Sequence, residues 1–203
     1  MLQAIAAGKA SPRVLFDRGV KDRLAQLKAA VIDERVAKLT KGMQPTEQKI
    51  QKLIDQRVVD YRSAKGSSIE LGQKVFEKNC AVCHQIDGKG AVIGPQLDGV
   101  GARGLERIVE DVLDPSRNVD AAFRVSLVKL ANGQAFSGLK RREEGEQIVF
   151  ADAKGVETSY AKADIKELRE SMNSLMPDGF EATVSAEEFN HLMAYLLSKT
   201  VKR

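Results

Sequence analysis

The chain has 203 residues, of which 43% are hydrophobic, enough for one globular domain with an appendage or for two small domains. Its formal net charge is only +4, and no apolar run approaches the ~20 residues of a membrane-spanning helix, so no span is expected. Residues 1–65 hold 14 of the 32 basic but 7 of the 28 acidic side chains. Aromatic residues are scarce in that block, which argues against nucleic acid as a partner and favours a solvated helical surface.

Two amphipathic helices are predicted in the first third of the chain. Apolar residues recur at intervals of mostly three and four from Val20 to Leu39, and again from Ile50 to Tyr61, which is the spacing of a helix with one apolar face. A Gly- and Pro-containing break separates them, so a helical hairpin is expected. We therefore predict a helical segment over residues 1–66, ending in a short linker, and a second unit over residues 67–203.

The second unit is predicted to be mainly α, with a β insertion. Helices are expected from Ile69, over 105–113 and at the end of the chain, where Ser185 and Glu188 fit a capping box. From about 120 to 163 the apolar pattern changes to a period of two, and the segment contains turn signals such as Asn-Gly. The segment is predicted to form a small antiparallel sheet of three or four strands.

The motif Cys80-Ala81-Val82-Cys83-His84 carries the strongest functional signal. Two thiols separated by two residues can bond to the two vinyl groups on one edge of a haem, and the following histidine is then directed at the iron. A thioredoxin-like redox pair would need a βαβ frame, and a structural zinc site would need more nearby Cys or His ligands. The sequence therefore predicts one covalently attached haem c, with His84 as an axial ligand of the iron.

The second axial ligand must be a residue with a lone pair. Met176 precedes Pro177, which favours an extended backbone at position 176, so a loop there can present the thioether to the open haem face. Met172, expected near the end of a helix, is the second candidate. Met193 is expected in the core of the last helix and His191 in solvent. Met43 is the remaining candidate.

The order of Gly72 and Phe76, the cysteine motif, Gly94-Pro95-Gln96-Leu97 and the last helix resembles class I cytochromes c. The resemblance implies that the helix with Gly72 crosses the last helix, which contains Leu192 and Tyr195. It also implies that the carbonyl of Pro95 accepts a hydrogen bond from Nδ1 of His84. Leu97 would cover the haem face, and Arg103 would reach a haem propionate or serve only on the surface.

A narrower resemblance rests on Val112-Leu113-Asp114-Pro115-Ser116 and Ser174-Leu175-Met176-Pro177. These phrases are similar to the planctomycete and verrucomicrobial haem-binding domain. That family implies a cytochrome c fold with a β insertion between the histidine and the distal methionine, at the end of a large secreted protein. The first eight residues are too short and too weakly apolar for a signal peptide, so we expect a piece of a longer extracytoplasmic, periplasmic protein.

The function expected from these features is electron transfer, without enzymatic activity of the domain itself. A His/Met iron has no open coordination site, so it exchanges electrons with a redox protein or a fused dehydrogenase domain. The alternative is a haem-based gas or ligand sensor, which would require that Met176 fail to reach the iron or bind it only weakly. A peroxidase would need a distal acid–base pair, for which the chain has few candidates.

Overall fold

The computed structural model describes residues 1–7, 12–16, 18–41 and 48–200. In this part of the chain, no helix is both long and apolar enough to cross a membrane. The α-helices are α1 (Leu2–Ala6), α2 (Arg18–Gln26), α3 (Ala30–Leu39), α4 (Gln48–Ser63), α5 (Ile69–Asn79), α6 (Leu105–Leu113) and α7 (Ala186–Ser198). The β-strands are β1 (Gln85–Ile86), β2 (Lys89–Gly90), β3 (Arg124–Leu130), β4 (Ala135–Glu144), β5 (Gln147–Ala151), β6 (Glu157–Ala161) and β7 (Ile165–Ser174).

Helices α5 and α7 cross at Gly72, as the resemblance implied. A Cβ atom at this position would lie 1.9 Å from the backbone oxygen of His191, so no side chain fits there. Beside the crossing, the rings of Phe76 and Tyr195 pack with their centroids 5.5 Å apart. The predicted capping box of α7 is present, with both hydrogen bonds between Ser185 and Glu188. The two helices form the centre of the main apolar core.

His191 is buried, so the prediction that it faces solvent was wrong. Its Nδ1 accepts a hydrogen bond from the backbone N–H of Ser68, at 3.0 Å, and its Nε2 lies 3.8 Å from a carboxylate oxygen of Glu187. His191 is offset from the apolar stripe of α7, but Ser68, the N-cap residue of α5, lies against its ring. A polar side chain was therefore buried because it satisfies a backbone donor at the crossing.

The N-terminal helices differ from the predicted hairpin. The first predicted helix is divided into α2 and α3, and Lys28, between them, has a positive φ of 45°. Helix α4 packs mainly on α6 and α7. Its residues Ile54 and Val58 are buried in the main core. The division of the chain at residue 66 stays a prediction. Helix α4 precedes this division in sequence but packs against helices that follow it.

The β insertion is larger than predicted. Its strands form one antiparallel sheet in the order β6-β5-β4-β3-β7, so the sheet ends at Ser174 rather than near residue 163. The predicted Asn132-Gly133 hairpin joins β3 to β4, and Gly133 has the expected positive φ of 89°. The fifth strand makes the protein a mixed α and β structure, so the description as mainly α was only partly correct.

One face of the sheet carries its own apolar cluster, separate from the main core. The aromatic members are Phe136, Phe150 and Tyr160, and the rings of Phe136 and Tyr160 stack with centroids 4.6 Å apart. Arg141 of β4 and Gly155, in the β5–β6 turn, reach the loop that follows the cysteine motif. The sheet therefore contacts the loop after the cysteine motif through Arg141 and Gly155.

We predict that Gly72→Ala lowers the free energy of unfolding by about 3 kcal/mol, because the methyl group would press on backbone atoms that cannot rotate away. Urea denaturation of the haem-containing protein would measure the change. The control is Lys74→Ala on the exposed side of α5, expected within about 0.5 kcal/mol of the unmodified protein. Equal stabilities of the two variants would contradict this account of the crossing.

Candidate haem site

The cysteine motif forms the turn that follows α5. The backbone N–H of Cys80 donates to the carbonyl of Phe76 at 2.8 Å, which closes the helix. The N–H groups of Cys83 and His84 then both donate to the carbonyl of Cys80, at 3.0 and 2.9 Å. Two free thiols and one imidazole are thus held on a single tight turn.

The ring of His84 is oriented by the segment that contains Gly94 and Pro95. Its Nδ1 lies 2.8 Å from the carbonyl oxygen of Pro95, as the resemblance implied. Because a carbonyl can only accept, Nδ1 carries the proton and Nε2 keeps a lone pair that can bind a metal. A Cβ atom on Gly94 would lie 2.8 Å from Cε1 of His84, so the backbone approaches the ring more closely than any side chain would permit.

Burial favours the neutral forms of all three groups of the motif. It raises the pKa of the Cys80 thiol to about 12, with a smaller contribution from the neighbouring Cys83. The pKa of the Cys83 thiol is also raised by burial. For His84, burial lowers the pKa, and the hydrogen bond to Pro95 opposes this effect only in part. A neutral imidazole is the form that ligates a metal.

The loop after the motif is tied to both the motif and the sheet. The N–H groups of Ile93 and Gly94 donate to the carbonyl of Cys83 at 3.1 and 2.8 Å. The guanidinium of Arg141 donates to the carbonyls of Val92 and Ile93 at 3.1 and 3.3 Å. Further along, Leu97 donates its N–H to the carbonyl of Gln85 at 2.9 Å, and its side chain packs against the main core.

The segment with Met176 begins where β7 ends. The N–H of Ser174 donates to Oγ of Ser116 at 3.1 Å, and the N–H of Met176 donates to Oγ of Ser174, also at 3.1 Å. Met176 itself is partly buried. The segment is therefore fixed by two serine hydroxyls, one of which belongs to the turn after α6.

The other candidate ligands occupy different environments. Met172 lies in β7 and not near a helix end as expected; the pairing of β3 and β7 shifts register around it, between Glu170 and Ser174. Met193 is fully buried in the main core, as predicted. Met43 lies outside the described residues.

Arg103 lies at the end of a short 3₁₀ helix before α6. Its guanidinium is 3.0 Å from a carboxylate oxygen of Asp111, which also pairs with Arg107 at 3.0 Å. Burial raises the pKa of the Asp111 carboxyl, and the two arginines offset part of that rise. Both roles expected for Arg103, contact with a haem propionate and a surface role, stay predictions.

Sequence reasoning missed Ser116, Ser174 and Arg141 as contributors to the site. The two serines lie in phrases that were noted for their family resemblance, but nothing in their spacing indicates that position 116 meets position 174. Arg141 is one of several basic residues on β4, and no periodic signal distinguishes it from its neighbours.

The donor set fits a covalently bound haem. Two thiols on one turn can form thioether bonds, and an imidazole with a free Nε2 can bind iron. The absence of a side chain at Gly94 leaves the space that the imidazole ring occupies.

Comparison with known proteins agrees with this interpretation. The family model described as Cytochrome c matches residues 69–144, from the first residue of α5 to the last residue of β4. No curated protein matches the chain. The match supports a cytochrome c domain of the class I type over residues 69–144, with one covalently attached haem c.

Proposed function

We propose that this chain is a one-electron carrier with His84 and Met176 as the axial ligands of its haem iron. The observation that carries the proposal is the hydrogen bond between Nδ1 of His84 and the carbonyl of Pro95. It fixes the tautomer and the orientation of the imidazole, as expected for a metal-bound histidine.

Different residues are proposed to attach the haem, to ligate its iron and to exclude water from it. Cys80 and Cys83 would hold the haem by thioether bonds, and His84 would present Nε2 to the iron. When bound, the haem supplies the exchange of one electron between the ferric and ferrous states of iron. Leu97, which packs against the main core, would shield one side of the haem from water, and this would lower the reorganisation energy of electron transfer.

Met176 is proposed as the second ligand because its competitors have other environments. The Nδ1 of His191 accepts a backbone hydrogen bond at the α5–α7 crossing. Met193 is surrounded by the apolar residues of the main core. Met176 follows a strand end, is partly buried, and has its backbone fixed by Ser174. A thioether ligand favours the ferrous state and raises the reduction potential.

The family resemblance supports our proposals for the partner and the cellular location. Cytochrome c domains exchange electrons with redox partners and are typically extracytoplasmic. We propose the planctomycete and verrucomicrobial type of domain, working in the periplasm and relaying electrons from a fused or separate dehydrogenase. The phrases ending at Ser116 and Pro177 support this narrower assignment.

We predict that haem attachment requires the thiols of Cys80 and Cys83. After maturation with the haem-attachment machinery, the unmodified protein should retain its haem through denaturing electrophoresis and acid–acetone extraction. The double variant Cys80→Ala/Cys83→Ala should lose all of it, because no thioether bond can form. A double variant that still retained its haem after extraction would show that other residues attach it.

We predict that Met176→Ala opens the iron to carbon monoxide and lowers the reduction potential by on the order of 0.1 V, within the ~0.8 V range that axial ligands span. Met172→Ala is the matched control and should leave both properties nearly unchanged. Carbon monoxide titration of the ferrous protein and a spectroscopic redox titration measure the two effects.

Two results would overturn this assignment. If only Met172→Ala removed the sulfur-to-iron absorption band of the ferric protein, Met172 would be the ligand. If the unmodified ferrous protein bound carbon monoxide as readily as Met176→Ala, the sixth site would be labile, and the sensor function would replace electron transfer.

A further inference from the structure

Two sequence phrases that lie far apart in the chain meet in the structure. The first, Asp114–Arg117, is a β-turn closed by the N–H of Arg117, which donates to the carbonyl of Asp114 at 3.0 Å. Pro115 occupies the second position of the turn, where its fixed φ is favourable. The second phrase begins at Ser174, whose N–H donates to Oγ of Ser116.

The turn is held rigidly by buried ion pairs. The side chain of Arg117 is only 1% exposed. Its Nη1 lies 2.8 Å from a carboxylate oxygen of Glu110, and its Nε lies 2.9 Å from one of Asp114. Both carboxylates are buried as well. Removing one partner of such a cluster leaves an unpaired buried charge, so the cluster strongly restricts the position of the turn.

The sheet holds the other side of the same contact. Ser174 is the last residue of β7 and pairs with Arg124, the first residue of β3. The guanidinium of Arg124 is 2.8 Å from a carboxylate oxygen of Glu170, which ties the two strands together just before the register shift. Ser174 is therefore placed by the strand pairing and by the turn at once.

We propose that Ser116 and Ser174 are positioning residues for Met176, the second axial ligand of the iron. This inference rests on the proposed function, because it takes Met176 as that ligand. The hydroxyl of Ser116 fixes the end of β7, and the hydroxyl of Ser174 fixes the backbone of Met176 two residues later. The Asp114–Arg117 turn is thus the rigid support of the distal methionine, and the two hydroxyls transmit its position to the ligand.

The serines offer a cleaner test than the ion pairs. Substitution of Arg117 would remove the cation that Glu110 and Asp114 share and would disturb the whole turn, whereas Ser116→Ala and Ser174→Ala each remove one hydroxyl. The control is Ser126→Ala, a buried serine in β3. Ser174→Thr keeps the hydroxyl and serves as the conservative rescue, since position 174 is only partly buried.

The experiment measures how readily imidazole displaces the methionine from the ferric, haem-loaded protein. Imidazole binds only when the methionine leaves, so its apparent association constant reports the strength of the methionine–iron bond. We expect Ser116→Ala and Ser174→Ala each to raise that constant roughly fivefold, the effect of losing one ordinary hydrogen bond. Ser126→Ala and Ser174→Thr should remain within about twofold of the unmodified protein, and Met176→Ala should give the upper limit.

The outcomes separate the two proposals. If Met176→Ala raises the constant but both serine variants match Ser126→Ala, the positioning role is wrong and the ligand assignment stands. If Met176→Ala has no effect, the ligand assignment fails and the positioning role fails with it. Should Ser116→Ala not fold, Ser174→Ala still decides, because Ser174 makes the direct contact with Met176.

Discussion

The close approach of α5 and α7 at Gly72 is the constraint on which the rest of the site depends. The carbonyl of His191 occupies the space that a side chain at position 72 would need. The ring of the same histidine satisfies the backbone N–H of Ser68, at the start of α5. Because the cysteine motif is the turn that ends α5, the crossing also determines where Cys80 and His84 stand relative to the core.

The β-sheet connects the segment of His84 with the segment of Met176, the two proposed sides of the haem site. On the histidine side, Arg141 binds the carbonyls of the loop that wraps the motif. On the methionine side, the end of β7 carries Ser174 and then Met176. An insertion that touched only one side could be removed without effect on the other. This sheet contacts both segments. Removal of residues 120–163 would therefore leave β7 without its partner strand β3.

The features predicted well from sequence are those encoded locally. The haem motif, the capping box of α7 and the Asn132-Gly133 hairpin each depend on a few adjacent residues. Strand β7 was missed because Ile165–Ser174 is an edge strand rich in charged residues and lacks a clear period-two apolar pattern. The burial of His191 and the contact between Ser116 and Ser174 depend on distant segments, which no local pattern encodes.

Electron transfer by this protein, as proposed, depends on His84 and Met176 as the two axial ligands of the iron. Near-infrared magnetic circular dichroism of the ferric, haem-loaded protein tests it most directly, because the energy of the charge-transfer band reports the ligand pair. We expect the low-spin signature of histidine with methionine. A high-spin spectrum, or the signature of two nitrogen ligands, would contradict the account.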